Sequence, residues 1–238
     1  MNVFYLDRNP ITAAQMHCDK HVVKMILEYA QLLSTAHRLL DGTPATWFWT
    51  DTRLVGDRMV TKTHRKVHYA MDGEVVEIVD EPLLPEELQR EANVFEDRKV
   101  LVVRNSHYFL ASHMKHPAAI WCRTNAQQYG WLFQLFAACL EEYTHRYGKQ
   151  HSAHRLRPYL ARLPKNISFG EYVDPPMSMD DAYKDQDVVM AYQNYYVGAK
   201  TRFARWTNRP APDWFIARTE NYDAAHFCRT RDMAAATA

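Results

Sequence analysis

The sequence feature that most constrains the fold is a stretch of about thirty residues near the start of the chain with unbroken helical periodicity. Asn9 can cap this helix, Pro10 suits its first position, and the pair Asp41-Gly42 ends it. Apolar and polar side chains separate onto opposite sides. The apolar side carries Val22, Val23, Ile26, Ala30 and Leu33, and the polar stripe carries His17, Lys20, His21, Lys24, Glu28 and Gln31. We therefore predict one long helix over residues 11–40, whose apolar side docks on a core.

A second long helix is predicted from Pro117 to a stop at Gly148, and it is apolar almost all round its middle. A last helix is expected from about Lys184 to Trp206. The chain has seven glycines in 238 residues, which disfavours sandwiches and barrels built on many tight turns. We therefore expect a mostly α fold, a compact bundle around two long helices, in which residues 1–238 form a single helical domain.

Residues 43–105 interrupt this helical pattern. Two runs of alternating apolar and polar residues flank Asp72-Gly73, a dipeptide typical of tight hairpin turns. A short acidic helix is predicted to begin at Pro85, with glutamates in its first turn. We therefore expect a small inserted β-hairpin followed by a short helix, which is either a lid or arm or a decorative excursion from the domain.

The composition excludes several classes of protein. The four cysteines form no CxxC pair, which argues against a disulfide scaffold and against a cysteine zinc site. No run of about 18 apolar residues occurs, which argues against a membrane-spanning helix. The opening residues lack the uninterrupted apolar run of a signal peptide. The net charge of +1 is too low for a simple nucleic-acid coat protein, so local patches would have to make any contact with nucleic acid. We expect a cytoplasmic protein with no membrane contact and no obligate protein partner.

The polar stripe contains two histidines one helical turn apart. His17 and His21 point the same way, which is the geometry in which two imidazoles share a metal ion. The remaining ligands would have to come from His113, His116 or Glu28, but the signatures of zinc proteases and deaminases are absent. Two histidines on a polar face are more often solvated or hydrogen-bonded, so we predict no metal and no other cofactor.

Lys24 and Glu28 follow on the same stripe at a spacing of four residues. Such a pair is commonly a surface ion pair that contributes about 0.3–0.5 kcal/mol. Beside histidines, on a helix docked against the core, the lysine can instead be a nucleophile and the glutamate its proton acceptor. Both interpretations stay open, and Lys24 is also a candidate phosphate contact.

Basic residues at two other places indicate contact with a polyanion. His113, Lys115 and His116 precede the second long helix, where free backbone N–H groups attract anions, although such residues can also merely cap a helix. The end of the last helix is basic and aromatic, which is typical of strand-binding surfaces and also of solvated faces. The binding candidates are His113, Lys115, His116, Arg123, Lys200, Arg202, Arg205 and Trp206.

Three segments carry a resemblance to known proteins: MNVFYLDRNPITAAQMHCDKHVVKMILEYAQLLSTAHR, HPAAIWCRTNAQQYGWLFQLFAACLEEYTHRYGKQH and AYQNYYVGAKTRFARW. They resemble a group of phage-encoded helical proteins. Their order, a short N-terminal arm followed by two long helices of which the second ends near Arg-Tyr-Gly, is also similar to the pyrimidine-dimer DNA glycosylases of the phage endonuclease V type. The resemblance implies a compact all-α enzyme that flips a base and cleaves its glycosidic bond, with an imine between an amine and the sugar.

That family uses a free N-terminal amine and a catalytic glutamate on its first long helix. This chain has Lys24 where the resemblance would place the glutamate, and Glu28 follows one turn later. The resemblance therefore implies that an imine would use Met1 or Lys24, or that Glu28 would activate water directly.

Together these observations predict a DNA-acting enzyme of phage type that excises a damaged or modified pyrimidine base. Glu28 is the expected general acid or base, Lys24 the amine or phosphate contact, and His17 and His21 the proton or orientation partners. Three alternatives stay open. They are a DNA thymine hypermodification transferase, a metal-dependent phosphohydrolase, and a non-catalytic nucleic-acid-binding module.

Overall fold

A computed structural model describes residues 1–80, 93–95, 99–219 and 228–229 of the chain. These residues contain seven α-helices and seven β-strands, and the strands form three small sheets. The expected mostly α bundle around two long helices is therefore wrong, and the fold is mixed α and β. Most of the β-structure lies between residues 43 and 104, where β-branched and aromatic side chains favour extended backbone.

The first predicted long helix is two helices, α1 over Pro10–Met16 and α2 over Asp19–Asp41. The Asn9 side chain accepts hydrogen bonds from two backbone N–H groups of the first turn of α1, so the predicted cap is confirmed. The backbone is extended at His17 and Cys18, which separates the two helices. The prediction of one continuous helix is therefore wrong at these two residues.

Contacts with a distant segment stabilise this break. The indole N–H of Trp206 donates to the carbonyl oxygen of Met16 at 3.1 Å. The backbone N–H of Asp19 donates to the carbonyl oxygen of Arg205 at 2.7 Å. Because backbone groups at a helix end need partners, these two hydrogen bonds replace the ones that a continuous helix would have made.

The second predicted long helix is also divided, into α3 over Pro117–Thr124 and α4 over Ala126–Tyr147. Asn125 lies between them in an extended conformation, and its side-chain oxygen accepts hydrogen bonds from two N–H groups of the first turn of α4. Asparagine is among the preferred N-caps, so it starts a new helix here. Gly148 ends α4 with a φ of 66°, which confirms the predicted stop.

The core lies between α2 and α4, and an N-terminal arm of residues 1–9 packs against it. Phe4 of this arm stacks on the ring of His21, with 4.3 Å between centroids. His17 and His21 are consequently buried, whereas Val23, predicted on the apolar side of α2, is 42% exposed. The predicted faces of the helix are therefore wrong near its start, because the N-terminal arm of residues 1–9 covers the side that was expected to be polar.

The longest sheet is a hairpin of β1, Thr43–Val55, and β2, Arg58–Ala70, which pair antiparallel along their whole length. Its turn is formed by residues 56 and 57, and the glycine of this turn has a φ of 61°, as a type II′ hairpin turn requires. The hairpin predicted around residues 72–73 is wrong, since the strands on either side of that turn do not pair with each other.

A second sheet contains β3, Val75–Asp80, β4, Asn93–Phe95, and β5, Lys99–Arg104. Both β3 and β4 pair antiparallel with β5, which is the central strand. The short helix predicted from Pro85 falls mostly on residues 85–92, which lie outside the described residues. The helix was expected to run to about residue 100, and residues 93–95 and 99–100 are strand instead, so the prediction is wrong at these residues.

The remaining helices are α5, Arg157–Leu160, α6, Val188–Lys200, and α7, Asp213–Arg218. Two short parallel strands, β6, Trp206–Thr207, and β7, Cys228–Arg229, form the third sheet. Turns of 3-10 helix cover Ser152–Leu156, Asp181–Tyr183 and Thr201–Phe203. The last predicted helix, expected from about Lys184 to Trp206, corresponds to α6, which ends six residues before Trp206.

No described helix has the length and apolar character that crossing a membrane requires.

A network of buried charges joins the end of α4 to the start of α2. Arg146 is fully buried and donates to Glu142 at 2.7 Å, to Asp19 at 3.0 Å and to the carbonyl oxygen of Gln15 at 3.0 Å. Arg209 contacts the other oxygen of Glu142 at 2.8 Å. Because each buried charge has an opposite partner, the network holds the helices in register without leaving a charge unpaired.

Candidate active site

A cavity of about 130 Å³ lies where the N-terminal arm, α2 and α6 meet. Its walls include Asn2, Phe4, His21, Lys24, Glu28, Tyr195 and Lys200. Three of the four predicted catalytic residues and one predicted binding residue therefore share one site. The cavity is smaller than the 300–1,000 Å³ typical of sites that enclose a whole ligand, so it accommodates one small part of a larger substrate.

Lys24 and Glu28 form the polar wall of this cavity. The Nζ atom of Lys24 lies 3.2 Å from Oε1 of Glu28, and the two side chains are 70% and 17% exposed. An ammonium that is largely in water beside a carboxylate that is mostly shielded from it can pass a proton over a single hydrogen bond. The spacing of four residues on α2 produces this contact, as the sequence predicted.

His21 forms the inner wall and is held without charge. Its Nδ1 atom lies 2.5 Å from the hydroxyl of Tyr196. Burial lowers the pKa of His21 to about 2, and the positive charges of Lys200 and Lys24 act in the same direction. A neutral imidazole at this place can orient its neighbours. At neutral pH it does not act as a cationic acid, because only one of its two ring nitrogens carries a proton.

His17 lies behind His21 and does not reach the cavity. Its Nδ1 atom lies 2.6 Å from the carbonyl oxygen of Ala13, and its Nε2 atom lies 2.8 Å from the hydroxyl of Tyr29. Burial lowers the pKa of His17 to about 4. Because both ring nitrogens have protein partners, neither is available to a metal ion shared with His21. Its surroundings are those of a core residue that fixes α1 against α2.

Lys200 brings the end of α6 to the cavity. Its Nζ atom donates to the hydroxyl of Tyr195 at 3.0 Å and lies 4.2 Å from the centroid of the same ring. Next to it, the ring of Phe203 has Lys20 at 4.9 Å and the guanidinium of Arg202 at 6.0 Å. An aromatic ring with cations beside it provides stacking for a base and neutralisation for its phosphates.

Of the predicted phosphate residues before α3, His116 is the one that interacts electrostatically with a residue of the cavity wall. Burial lowers the pKa of His116, the positive charges of the N-terminal amine and of His113 lower it further, and the negative charge of Glu28 opposes them. These groups are therefore within electrostatic reach of one another. The His116 ring caps α3 by accepting from the N–H of Ala118 at 3.1 Å, and Lys115 is exposed. The lowered pKa leaves His116 uncharged at neutral pH, and neither His116 nor Lys115 lines the cavity, so this segment adds no charge to the cavity wall.

Three predicted binding residues are placed differently. Trp206 is fully buried and its ring packs on Phe215 with 4.9 Å between centroids, so it does not offer a stacking surface to solvent. The guanidinium of Arg205 donates to the carbonyl oxygen of Ala204. Arg123 lies in the last turn of α3, and one of its terminal nitrogens is buried without a hydrogen-bond partner among the described residues.

Sequence reasoning missed several groups of the site. Phe4 belongs to an apolar run, and Tyr195 sits among the aromatic positions of a helix, so both have the pattern of core residues. Asn2 carried no signal, yet its side-chain oxygen is buried at the cavity wall with no hydrogen-bond partner among the described residues. A buried acceptor of this kind is available to a donor on a ligand.

Metal binding has no geometric support in the described part of the chain. No group of three or more histidine, cysteine, aspartate or glutamate side chains there is placed to hold a metal ion. The cysteines whose side chains are described, Cys18, Cys122 and Cys139, are all buried and form no disulfide. The alternative in which His17 and His21 share a metal ion therefore finds no further ligands among the described residues.

Two larger cavities have different chemistry. One of about 400 Å³ lies between α1 and α4, and its charged groups already form pairs, Arg157 with Glu141 and Arg209 with Glu142. The other, of about 720 Å³, lies between residues 103–112 and Arg155. Among the described lining residues, neither cavity combines an amine with a carboxylate, as the smaller one does. The Lys24 and Glu28 cavity is therefore the candidate active site.

Comparison with known proteins gave no relative. No family model, curated protein or solved structure matches the chain. What the site can do is therefore inferred from its own residues and geometry.

Proposed function

We propose that the protein is a DNA-acting enzyme that excises a damaged or modified pyrimidine base in the cytoplasm of a host cell. Lys24 is the amine nucleophile and Glu28 is the group that moves the protons. The observation that carries the proposal is the 3.2 Å contact between Lys24 Nζ and Glu28 Oε1 at the wall of a small cavity. An amine with an adjacent proton acceptor is the minimal arrangement for imine-forming catalysis.

The charge around the cavity supports a polyanionic substrate. Lys24 and Lys200 line it. Lys20 and Arg202 lie beside the ring of Phe203, whose centroid is 5.9 Å from that of the His21 ring, and Lys115 lies on the segment before α3. Because the chain as a whole carries only +1, this concentration of cations is a local property of the site. Cations close to one aromatic ring match the alternating phosphates and bases of a DNA strand.

The size and polarity of the cavity support a base and its sugar carbon as the part that enters. A volume of about 130 Å³ excludes a complete nucleotide with its phosphates, which would stay among the cations at the rim. The unpartnered oxygen of Asn2 accepts a hydrogen bond, and pyrimidines present N–H donors on the edge that a flipped base exposes.

The proposed reaction balances with the groups present. Glu28 takes a proton from the Lys24 ammonium, and Nζ then bonds to C1′ of the deoxyribose as the C1′–N bond breaks. The electron pair leaves on the base, which receives its proton from Glu28. The sugar ring then opens at C1′–O4′ to leave an imine. The three ammonium protons end on the base, on O4′ and on the imine nitrogen.

Borohydride trapping tests this proposal directly, because it reduces an imine to a stable amine. Pure protein is incubated with ultraviolet-irradiated, uracil-containing and hypermodified phage DNA, with and without borohydride. We expect a covalent protein–DNA adduct and free base on one of these substrates. Adduct formation should be lost in Lys24→Ala and retained in Lys149→Ala, which removes an exposed lysine outside the site.

A protein that binds DNA tightly but gives no adduct, no abasic site and no strand break on any of the three substrates would overturn the proposal. An adduct that still forms with Lys24→Ala would support base excision but would show that another amine is the nucleophile. Peptide mapping of the adduct identifies the modified residue in either case.

A further inference from the structure

The hairpin of β1 and β2 projects from the body of the protein as an arm, defined here as residues 45–68. Every residue whose side chain is described between positions 52 and 63 is exposed. Ten residues separate the base of β1 at Ala45 from its tip at Val55, and a strand rises by about 3.3 Å per residue. The arm therefore extends about 33 Å beyond its base.

The base of the arm is fixed by a buried ion pair. Arg38 of α2 contacts Glu74, which lies six residues after the arm, and also donates to the carbonyl oxygen of Tyr69 in β2. His68 is buried beside them, with its Nε2 atom 3.6 Å from Glu74. The arm is thus anchored at one end, whereas an isolated two-stranded hairpin is at best marginally stable in water.

The arm carries a concentrated positive charge. It contains five lysines and arginines and two aspartates, so its net charge is +3, whereas the whole chain has +1. The cations are Arg53, Arg58, Lys62, Arg65 and Lys66. In the observed register, four of these lie on the same face of the hairpin, and Arg65 lies on the other face. A charged face of this kind is complementary to a row of phosphates.

The tip of the arm is apolar in spite of its exposure. Leu54 and Met59 face each other across the strands and are 65% and 67% exposed, and Val55 and Val60 are 57% and 45% exposed. Side chains this exposed bury little apolar area in the fold of the arm itself. They resemble the wedges with which proteins separate adjacent base pairs, where leucine and methionine are commonly used.

We propose that the arm binds double-stranded DNA, with its cations on the phosphates along a groove and its apolar tip inserted at a base step. A two-stranded ribbon fits a groove of the duplex, and the charge of +3 selects a polyanion over a second copy of the chain. Inserting the tip unstacks the bases, which assists the extrusion of one base. The inference rests on the proposed DNA substrate but not on the proposed chemistry.

The arm and the candidate active site can contact one duplex. Glu28 and Gly42 are fourteen residues apart on α2 and its cap, so the base of the arm lies about 21 Å from the site along the helix axis. One turn of DNA spans about 34–36 Å. A duplex of two turns is therefore longer than the arm of about 33 Å and the separation of about 21 Å taken together.

Binding is measured by fluorescence anisotropy with a duplex of roughly 21 base pairs, which is about two turns. The arm variant is Arg53→Gln with Arg58→Gln and Lys62→Gln, and the matched control is Lys149→Gln with Lys165→Gln and Lys184→Gln. Each lost phosphate contact lowers affinity about 5-fold at about 0.15 M salt, so we expect a loss of about 100-fold for the arm variant. The dependence of log K on log salt should become shallower by about three for the arm variant only.

The wedge is tested with 2-aminopurine placed within the duplex, because its fluorescence rises when the base is unstacked. Wild-type protein should raise the signal, and Leu54→Ser with Met59→Ser should abolish the rise while weakening affinity by less than about 10-fold. Circular dichroism and sedimentation of each variant check that the fold and the oligomeric state are unchanged.

The outcomes separate this inference from the proposed function. Base excision by an arm variant that binds and unstacks DNA like the wild type would overturn the inference and leave the enzyme proposal standing. Arm-dependent binding without any adduct would leave the inference standing and remove the enzyme proposal. A wild-type dimer that the tip variant converts to a monomer, with DNA affinity unchanged, would assign the tip to self-association and overturn the inference.

Discussion

The guanidinium of Arg38 contacts both carboxylate oxygens of Glu74, at 2.7 and 2.9 Å, although neither side chain is more than 1% exposed. Ser106 also bonds to this carboxylate. Burial alone would raise the pKa of Glu74, but hydrogen bonds from His68, Arg38 and Ser106 outweigh it and hold the pKa well below its usual range. The pair joins the end of α2 to the sheet region at a place where water does not screen the charges.

Removing one partner of this pair should destabilise the protein strongly. Glu74→Ala leaves the Arg38 charge buried and unpaired, so we expect the free energy of unfolding to fall by about 3–5 kcal/mol. The matched control is Glu77→Ala, which breaks the exposed pair between Arg104 and Glu77 and should cost about 0–1 kcal/mol. Urea denaturation measures both, and equal costs would contradict a stabilising role for the buried pair.

The buried imidazole of His17 should make stability depend on pH. Its folded-state pKa is about 4, below the value of about 6.5 in the unfolded chain, so the unfolded state binds a proton first as the pH falls. Its contribution is therefore complete above about pH 6.5 and declines towards pH 4, by about 2 kcal/mol at pH 5. The free energy of unfolding should therefore fall less between pH 7.5 and 5 in His17→Gln than in the wild type, by about 2 kcal/mol. An equal fall in both proteins would contradict this role of His17.

Trp206 and Phe203 should differ in what their replacement affects. Trp206→Phe removes the indole donor to the Met16 carbonyl and should cost about 1–3 kcal/mol of stability, while DNA affinity stays within about 2-fold. Phe203→Leu removes a ring that lies close to two cations and should weaken DNA binding by about 5- to 150-fold, the equivalent of one stacked base. The reverse pattern of effects would return the stacking role to Trp206.

Lys24→Arg separates the charge of the amine from its chemistry. Arginine keeps the ion pair with Glu28 and the attraction to phosphate, but its guanidinium does not form an imine under these conditions. We expect DNA affinity to change little and the borohydride adduct to disappear, with Lys149→Arg as the unaffected control. Glu28→Gln should bind DNA and lower product formation by about 10²- to 10⁴-fold. Normal adduct formation in Lys24→Arg would exclude this lysine as the nucleophile.

The ends of several helices were predictable because their signals are local. Asn9 and Gly148 act within one turn of their own positions, and the structure confirms both. The interruption at His17 and Cys18 was not predictable, because the groups that stabilise it include Trp206, which lies far along the chain. Periodicity alone reports which residues favour a helix and not where a tertiary contact interrupts it.

Strand pairing was mispredicted for a related reason. Asp72-Gly73 does form a turn, but β3 pairs with β5 and not with the strand just before the turn. A turn dipeptide indicates that the chain reverses, whereas register and partner depend on which strands have a free edge nearby. The strand that pairs with β2 is β1, residues 43–55. Apolar and polar residues do not alternate along β1, because the hairpin has no buried face.

The candidate site was half predictable. The spacing of Lys24 and Glu28 places them together on any helix, so their contact follows from the sequence. The approach of Lys200 from α6 and the covering of His21 by Phe4 depend on how separate segments pack. Such contacts carry no signature in spacing, which is why His21 was expected on a polar stripe and is instead buried.

The two strands of the arm pair only with each other in the described structure, so each has an outer row of backbone N–H and C=O groups without a strand beside it. Rows of this kind invite a strand from another molecule, and lysine or arginine along them opposes such addition by repulsion between like charges. The cations of the arm are consequently under two constraints. A variant without these cations should bind nucleic acid more weakly. It should also aggregate more readily, because the charge repulsion that opposes edge-to-edge pairing of strands is lost.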